Sequence, residues 1–478
     1  MVQPRFLILA FPIQGVINPT LSFASRLVRV IAGAQVTFVI TVHAHRLMTK
    51  SRGAKGTGSA TPNDGLSFAP FSDGYDDGFP EGTGIHGRLV EFRRRGWQAL
   101  ADILESGLNK EGRPYTCLVY TMLLSWAADV AAEHNVPAAL FWVQPATVFD
   151  IYYYYYHGYR EIIRDNSKTS SFSLSFPGIK PLAMSLGDLP SFMADSGDSY
   201  FVTQFQEMYE DLEKEGNNTK IILVNTFDEL EPEALRAVSK FNLIGIGPLI
   251  QSPTPTSFQS DLFQQSSQDY IGWLNTKPKT AVIYVSFGSF GSVSVLSKHQ
   301  IDEIAKGLLE FGRPFLWVIR EKSDQGDEEE DDELSCREEL EKLGMIVPWC
   351  SQMDVLSNES VGCFVTHCGW NSTLESLASG VPMVAFPKWS DQRTNAKLIE
   401  EEWKTGVRVK PHEDGIVRSE EIRRCLELVL GGKENAVEIV RNVKKWQNLA
   451  KEAIREGGSS EKNIMSFVNR VMDMVTND

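Results

Sequence analysis

Trp349–Gln392 reads WCSQMDVLSNESVGCFVTHCGWNSTLESLASGVPMVAFPKWSDQ, and its punctuation sets the fold class. Gly362-Cys363-Phe364-Val365-Thr366 is a short apolar run, the pattern of a buried strand. His367-Cys368-Gly369-Trp370-Asn371-Ser372-Thr373 turns the chain into a helix, carried by Thr373 to Leu377 and stopped at Gly380. Val381 to Phe386 is a second strand, closed by Pro387. The glycine turn leaves free backbone N–H groups at the positive end of a helix dipole, which makes an anion site. A phosphate is the obvious guest.

The same grammar runs outward on both sides. Phe6 to Phe11 is a strand, Pro12 to Pro19 a loop, Thr20 to Ile31 an amphipathic helix, and Gln35 to Val42 the next strand. Thr116–Val119, Ser125–His134 and Ala138–Val143 repeat the strand–helix–strand unit, and Ile221–Asn225 and Leu243–Ile246 continue that sheet. Such units build a parallel, doubly wound sheet. Between Pro248 and about Ser267 the composition shifts to Ser, Gln, Pro and Thr, which marks a linker. Beyond it Ala281–Phe287, the helix Ser297–Phe311, Phe315–Arg320 and Met345–Trp349 restart the pattern. Two long helices, Glu434–Glu456 and Lys462–Val475, end the chain. At 478 residues the chain is long enough for two cores of about 200–250 residues each. Two doubly wound halves facing each other leave a cleft, and ligands in such sheets bind at the carboxyl ends of strands.

Composition removes several classes of function. A net charge of −15 argues against a general nucleic-acid or anionic-membrane binder. Part of that excess is the acidic run Ser323–Glu333, expected as a solvated loop, and Gly53 to Asp64 reads as a mobile one. No apolar stretch reaches the ~18 residues of a membrane span, and the N-terminus lacks the ordered regions of a signal peptide. The six cysteines lack metal spacing and read as reduced thiols of a cytosolic protein. No G-x-G-x-x-G opens either half, which weakens a dinucleotide-dependent oxidoreductase. Arg93-Arg94-Arg95 reads as a solvated helix face, Tyr152–Tyr156 mostly as core, and His43 and His45 as near-surface.

Trp349, Gln352, His367, Gly369, Trp370, Asn371, Ser372, Glu375, Pro387, Asp391 and Gln392 together resemble the signature box of plant family 1 UDP-glycosyltransferases. The resemblance extends over essentially the whole chain. Phe71–Gly78 and Asp150–Tyr156 look like the subgroup of anthocyanidin 5-O-glucosyltransferases and crocetin or hormone glucosyl-ester-forming enzymes. The implied architecture is two Rossmann-like doubly wound α/β domains facing across a cleft, of GT-B type. An acceptor domain at 1–250, a linker at 251–277 and a UDP-sugar domain at 278–455 are expected. A C-terminal helix at 456–478 would pack back on the first domain. The implied reaction is inverting, metal-independent transfer of glucose from UDP-glucose to a plant phenol or carboxylic acid. UDP-glucose is the donor substrate, with no cofactor, and a cytoplasmic monomer is expected.

The resemblance also distributes roles along the box. Trp349 offers its face to uracil, and Glu375 accepts from the ribose hydroxyls. His367, Asn371 and Ser372, with Ser289 of an earlier turn, meet the diphosphate. Gln352 and Trp370 complete the donor set, and Asp391 and Gln392 address the sugar, with Gln favouring glucose over galactose.

One departure stands out. In the family, a His in the first βα loop, oriented by an Asp after a later strand, takes the acceptor's proton. Here the two slots hold Val16 and Thr121. Valine accepts no proton, and Thr121 is no base, though it can hydrogen-bond. Three explanations stand side by side. An acceptor such as a carboxylic acid arrives already ionised and needs no base. His86, His157 or Asp188 substitutes. Or the change is an inactivating one, natural or engineered, and the chain is a UDP-sugar binder with impaired transfer.

Overall fold

The computed structural model describes residues 3–53, 65–78, 85–111, 114–169, 171–179, 183–194, 200–214, 221–250, 269–288, 296–319 and 336–477. Ser289, the acidic run 323–333, the stretch 54–64 and most of the expected linker lie outside them.

Fifteen strands are present among these residues. The first five are Arg5–Leu9 (β1), Gln35–Thr41 (β2), Leu66–Phe71 (β3), Cys117–Thr121 (β4) and Ala138–Trp142 (β5). Ser173–Leu174 (β6) and Met184–Ser185 (β7) form a small antiparallel pair. Ile221–Val224 (β8) and Asn242–Gly245 (β9) complete a seven-stranded parallel sheet in the order β3-β2-β1-β4-β5-β8-β9. The second half contributes Val282–Ser286 (β10), Phe315–Val318 (β11), Met345–Val347 (β12), Val361–Thr366 (β13), Met383–Ala385 (β14) and Gly406–Arg408 (β15). These six form a second parallel sheet in the order β12-β11-β10-β13-β14-β15. β1, β4, β5, β8, β10, β11 and β13 are buried along their whole length, as strands covered by helices on both faces must be.

Each sheet has a point where strand order reverses. In the first it lies between β1 and β4, in the second between β10 and β13. Such switch points open a crevice at the carboxyl ends of the strands, because the two flanking connections leave on opposite faces. Register aligns those ends: Leu9 lies opposite Tyr120, and Ser286 opposite Thr366. The loops that follow therefore leave each sheet side by side.

Two local expectations change. The loop expected over 12–19 is mostly helix: Gln14–Val30 is one helix with Pro19 inside it. Proline has no N–H, so the carbonyl four residues back, that of Gly15, loses its intrahelical partner. Leu66–Phe71 is an edge strand that alternation did not reveal, since its inner residues Phe68 and Ala69 are only half-buried.

The last helix, Ser459–Asn477, returns to the first sheet. Ile464, Phe467, Val468 and Val471 join its core, and the Phe467 ring lies 6.0 Å from that of Phe6. Tyr270 and Leu274, by contrast, pack with Val282 and Tyr284 of the second sheet. Among the described residues no helix is long and apolar enough to cross a membrane.

Candidate active site

A cavity of about 430 Å³ lies where the two switch points face each other. From the second sheet it takes the turn after β10 (Gly288), the turn after β13 (His367, Gly369) and the segment after β14 (Trp389 to Gln392). From the first sheet it takes Phe11 to Val16 after β1, Met122 and Leu123 after β4, and Val143 and Gln144 after β5.

The cradle contributed by the second sheet is built on glycine. Gly369 is the N-cap of the helix Trp370–Ser379 and offers no side chain, so the first-turn N–H groups stay uncapped. A Cβ on Gly369 would lie 2.4 Å from His367 Nε2, and one on Gly288 would lie 2.7 Å from the same nitrogen. The imidazole is thus wedged between two glycines, one from each side of the switch point. Burial pushes its pKa down to about 4, so it is neutral at pH 7. Cys368 beside it adopts φ +64°, the left-handed conformation that bends the strand into the helix.

The polar residues of the cradle hold one another. Gln352 donates from Nε2 to Ser372 Oγ (2.9 Å) and Glu375 Oε2 (2.6 Å), and its Oε1 accepts from the Tyr284 hydroxyl (3.2 Å). Gln352 therefore orients Glu375 and Ser372. Trp349, 7 % exposed, lies along the same wall. Asp391 accepts from Asn395 Nδ2 at 2.7 Å and from Gln144 Nε2 at 3.4 Å, and burial lifts its carboxyl to about 6. Gln392 uses its amide oxygen on the Lys388 and Trp389 N–H groups (2.9 and 3.1 Å). Its NH₂ is the end left to address a ligand.

Asn371 and Trp370 reach across to the other half. Asn371 Nδ2 donates to the Gly15 carbonyl at 2.8 Å, the oxygen that Pro19 left without a helical partner. Trp370 was expected among the donor contacts. It borders the cavity, but its indole N–H donates to the Asn225 carbonyl (2.7 Å) and its ring packs near Trp403. Its polar group ties the halves together. An interdomain partner leaves no local mark in sequence, which is why the box alone did not reveal this.

On the first-sheet side Val16 is buried and faces the cavity. Thr121, fully buried, does not line it; its Oγ1 accepts from the Phe11 N–H at 2.9 Å and pins the loop after β1. The candidate substitute bases are diverted. His157 stacks on Tyr153, with Nδ1 2.7 Å from the Tyr153 carbonyl and Nε2 3.2 Å from Glu213. Asp188 accepts from Ser185 N–H and Oγ and from Arg408 Nη1 (2.6 Å), an ion pair across the seam between the halves. Burial works to raise its carboxyl, but the bonds from Ser185 and Arg408 outweigh it and hold it below the ordinary range. Neither lines the cavity. His86 lies in the helix Ile85–Glu111, and its side chain is outside the described residues.

Sequence reading did not single out Asp73, Arg88, Gln144, Phe192 or Trp389, all of which face the cavity. Asp73 lies within the motif Phe71–Gly78, where nothing local in the sequence marks its side chain as facing the cavity.

Residues 200–447 match the family described as UDP-glucoronosyl and UDP-glucosyl transferase. The phloretin 4'-O-glucosyltransferase of Malus domestica is 56% identical over 490 residues, spanning 98% of both chains. The chloroplastic crocetin glucosyltransferase of Gardenia jasminoides is 52% identical, again over 98% of both. Os79 from O. sativa, solved in complex with UDP, superposes with a TM-score of 0.80 at 32% identity, covering 98% of this chain and 100% of that one. Two Rossmann-like halves of GT-B type, a glycine-built cradle at their shared cleft and full-length likeness to such enzymes agree: the chain belongs to the UDP-glycosyltransferase family.

Proposed function

We propose that the protein transfers glucose from UDP-glucose, with inversion at the anomeric carbon and without a metal, to a hydroxyl of an aromatic small molecule. The observation that carries this is one continuous cavity with a polar cradle at one end and an aromatic wall at the other. Phe11, Phe92, Phe192, Phe201 and Phe205 line the acceptor side, a surface suited to a flat ring. Relatives named for phloretin and for crocetin are consistent with small plant acceptors.

In this account the acceptor oxygen attacks the anomeric carbon as the bond to the diphosphate breaks, and UDP leaves with the electron pair. The uncapped N–H groups of Trp370 to Ser372 meet the charge that develops on the diphosphate, beside the neutral His367. Glu375, oriented by Gln352, accepts from the ribose, and Asp391 with the Gln392 amide addresses the sugar. Val16 leaves the acceptor hydroxyl without the usual base, so the rate forgoes roughly 10²- to 10⁴-fold of general-base assistance.

A second reading is favoured by that same residue: a UDP-sugar binder with impaired transfer, or one restricted to carboxylic acids. Mass spectrometry of products, with UDP release measured on panels of phenols and carboxylic acids, separates these. Acceptor-dependent UDP release with a hexosylated phenol is the expected result. Tight UDP binding without acceptor-dependent release, or glucose esters as the sole products, would overturn it.

A further inference from the structure

Of the described N-terminal residues that line the cavity, Asp73 is the only carboxylate. It is 3 % exposed and lines the cavity together with Phe11, Leu89 and Phe92, with Arg88 as the other charged side chain among the described residues of that half. Its place is fixed by its loop. Gly74, at φ +94°, bends the chain just after β3, and Asp73 Oδ1 accepts from the Tyr75 N–H at 3.1 Å. A Cβ on Gly74 would lie 3.1 Å from Arg95 Nε, so the turn lies tight against the helix Ile85–Glu111.

That turn does not need a charge, since an Asn side chain accepts the same N–H. An ionised group on an apolar wall is costly unless a donor meets it. Burial raises the Asp73 pKa; the Tyr75 and Asp73 backbone N–H groups offset this only in part, with smaller and opposed effects from Asp76, which raises it, and His43, which lowers it. A hydroxyl arriving in the cavity is a donor of the right kind. β1 and β3 flank β2 in the sheet, so their ends are two strand spacings apart, roughly 10 Å. A two-ring aromatic is roughly as long as that span, and both Val16, in the helix that follows β1, and Asp73, just after β3, line the cavity.

We propose that Asp73 is a specificity-determining residue that accepts a hydrogen bond from a second hydroxyl of the acceptor, at the end of the molecule remote from the transferred sugar. It thereby selects polyhydroxylated aromatics and sets which hydroxyl meets the anomeric carbon. This rests on the aromatic-hydroxyl acceptor proposed above.

Resveratrol and its dimethyl ether pterostilbene supply the test, because pterostilbene keeps one phenol and masks both hydroxyls of the other ring. The wild type is expected to favour resveratrol in kcat/KM. Asp73→Asn keeps the turn and removes the charge. It should raise KM for resveratrol by roughly 10- to 100-fold, the worth of one charged hydrogen bond. KM for pterostilbene, kcat and the Kd for UDP should stay near wild type, and the Asp73→Ala variant should show the same selective loss. An unchanged preference in Asp73→Asn, or equal slowing of both acceptors, would overturn the assignment. Failure of the wild type to glucosylate either stilbene would instead count against the aromatic-hydroxyl acceptor itself.

Discussion

At the donor end of the cavity Gln352 ties Ser372 to Glu375, Asn395 and Gln144 hold Asp391, and two glycines fix His367. At the acceptor end the wall is Val16 and a set of phenylalanines, with Asp73 and Arg88 as its charges among the described residues. The two ends share one architecture, a βα turn at a switch point, yet one carries an interlocked polar network and the other little fixed polar chemistry. A nucleotide sugar presents the same phosphates and hydroxyls each time, so a preorganised network suits it. An apolar pocket tolerates varied ring systems, because shape and area rather than direction bind them. The difference predicts that donor binding and turnover can be separated by mutation.

The largest effect expected on the donor end comes from Glu375→Ala. It removes the carboxylate proposed to accept from the ribose, worth about 3 kcal/mol if one or two charged hydrogen bonds are lost. Calorimetry should show the UDP Kd weakened by roughly 10²-fold. A Kd unchanged within threefold would place the ribose elsewhere.

Next in size, Arg408→Ala strips the nearer cation from Asp188, which is 3 % exposed. Lys397, 3.6 Å away, and the Ser185 bonds remain, so the loss should be about 2 kcal/mol rather than the ~3–5 of an abandoned buried charge. Thermal denaturation should show a lower Tm, and phenol glucosylation should persist at temperatures where the variant is folded. Loss of turnover in a fully folded variant would restore Asp188 to the chemistry.

A pH profile gives a smaller effect. Burial lifts Asp391 to about 6, so below that pH it becomes protonated and loses the charge with which it is proposed to accept from the sugar hydroxyls. The kcat/KM for UDP-glucose should fall by up to ~10-fold per pH unit below about 6 and stay flat above it. Asp391→Asn should abolish the step. On folding the same shift has the opposite sign. Ionising this group costs more in the folded chain, so its contribution to stability is full below the unfolded value near 4 and is lost as pH rises towards about 6. The smallest expectation is His157→Ala, whose pairing with Glu213 lies at the surface and which should alter stability by less than ~0.5 kcal/mol and turnover not at all.

Much of this was legible in the chain. Apolar runs fall on most of the strands, and the run from Trp349 to Gln392 lies along one end of the cavity, because strand burial and turn chemistry are local. What escaped detection depends on partners far away in sequence. Trp370 reads as a donor contact until Asn225, 145 residues away, is seen taking its N–H. His157 and Asp188 look like spare bases until Glu213 and Arg408 are found beside them. Pro19 looks like a loop residue, yet it lies within a helix and frees the Gly15 carbonyl for Asn371. The inward side chain of Asp73 follows from a left-handed glycine and an edge strand whose alternation is blurred.

The contrast between the two ends is tested most directly by Val16→His, with UDP affinity and phenol turnover measured on the same preparation. A base restored at that position should raise kcat on a phenolic acceptor by two orders of magnitude or more, within the range of general-base assistance. The Kd for UDP should stay within about twofold of wild type, since the donor network does not include this side chain. An unchanged kcat would contradict the account, because the catalytic half would then lack nothing at Val16.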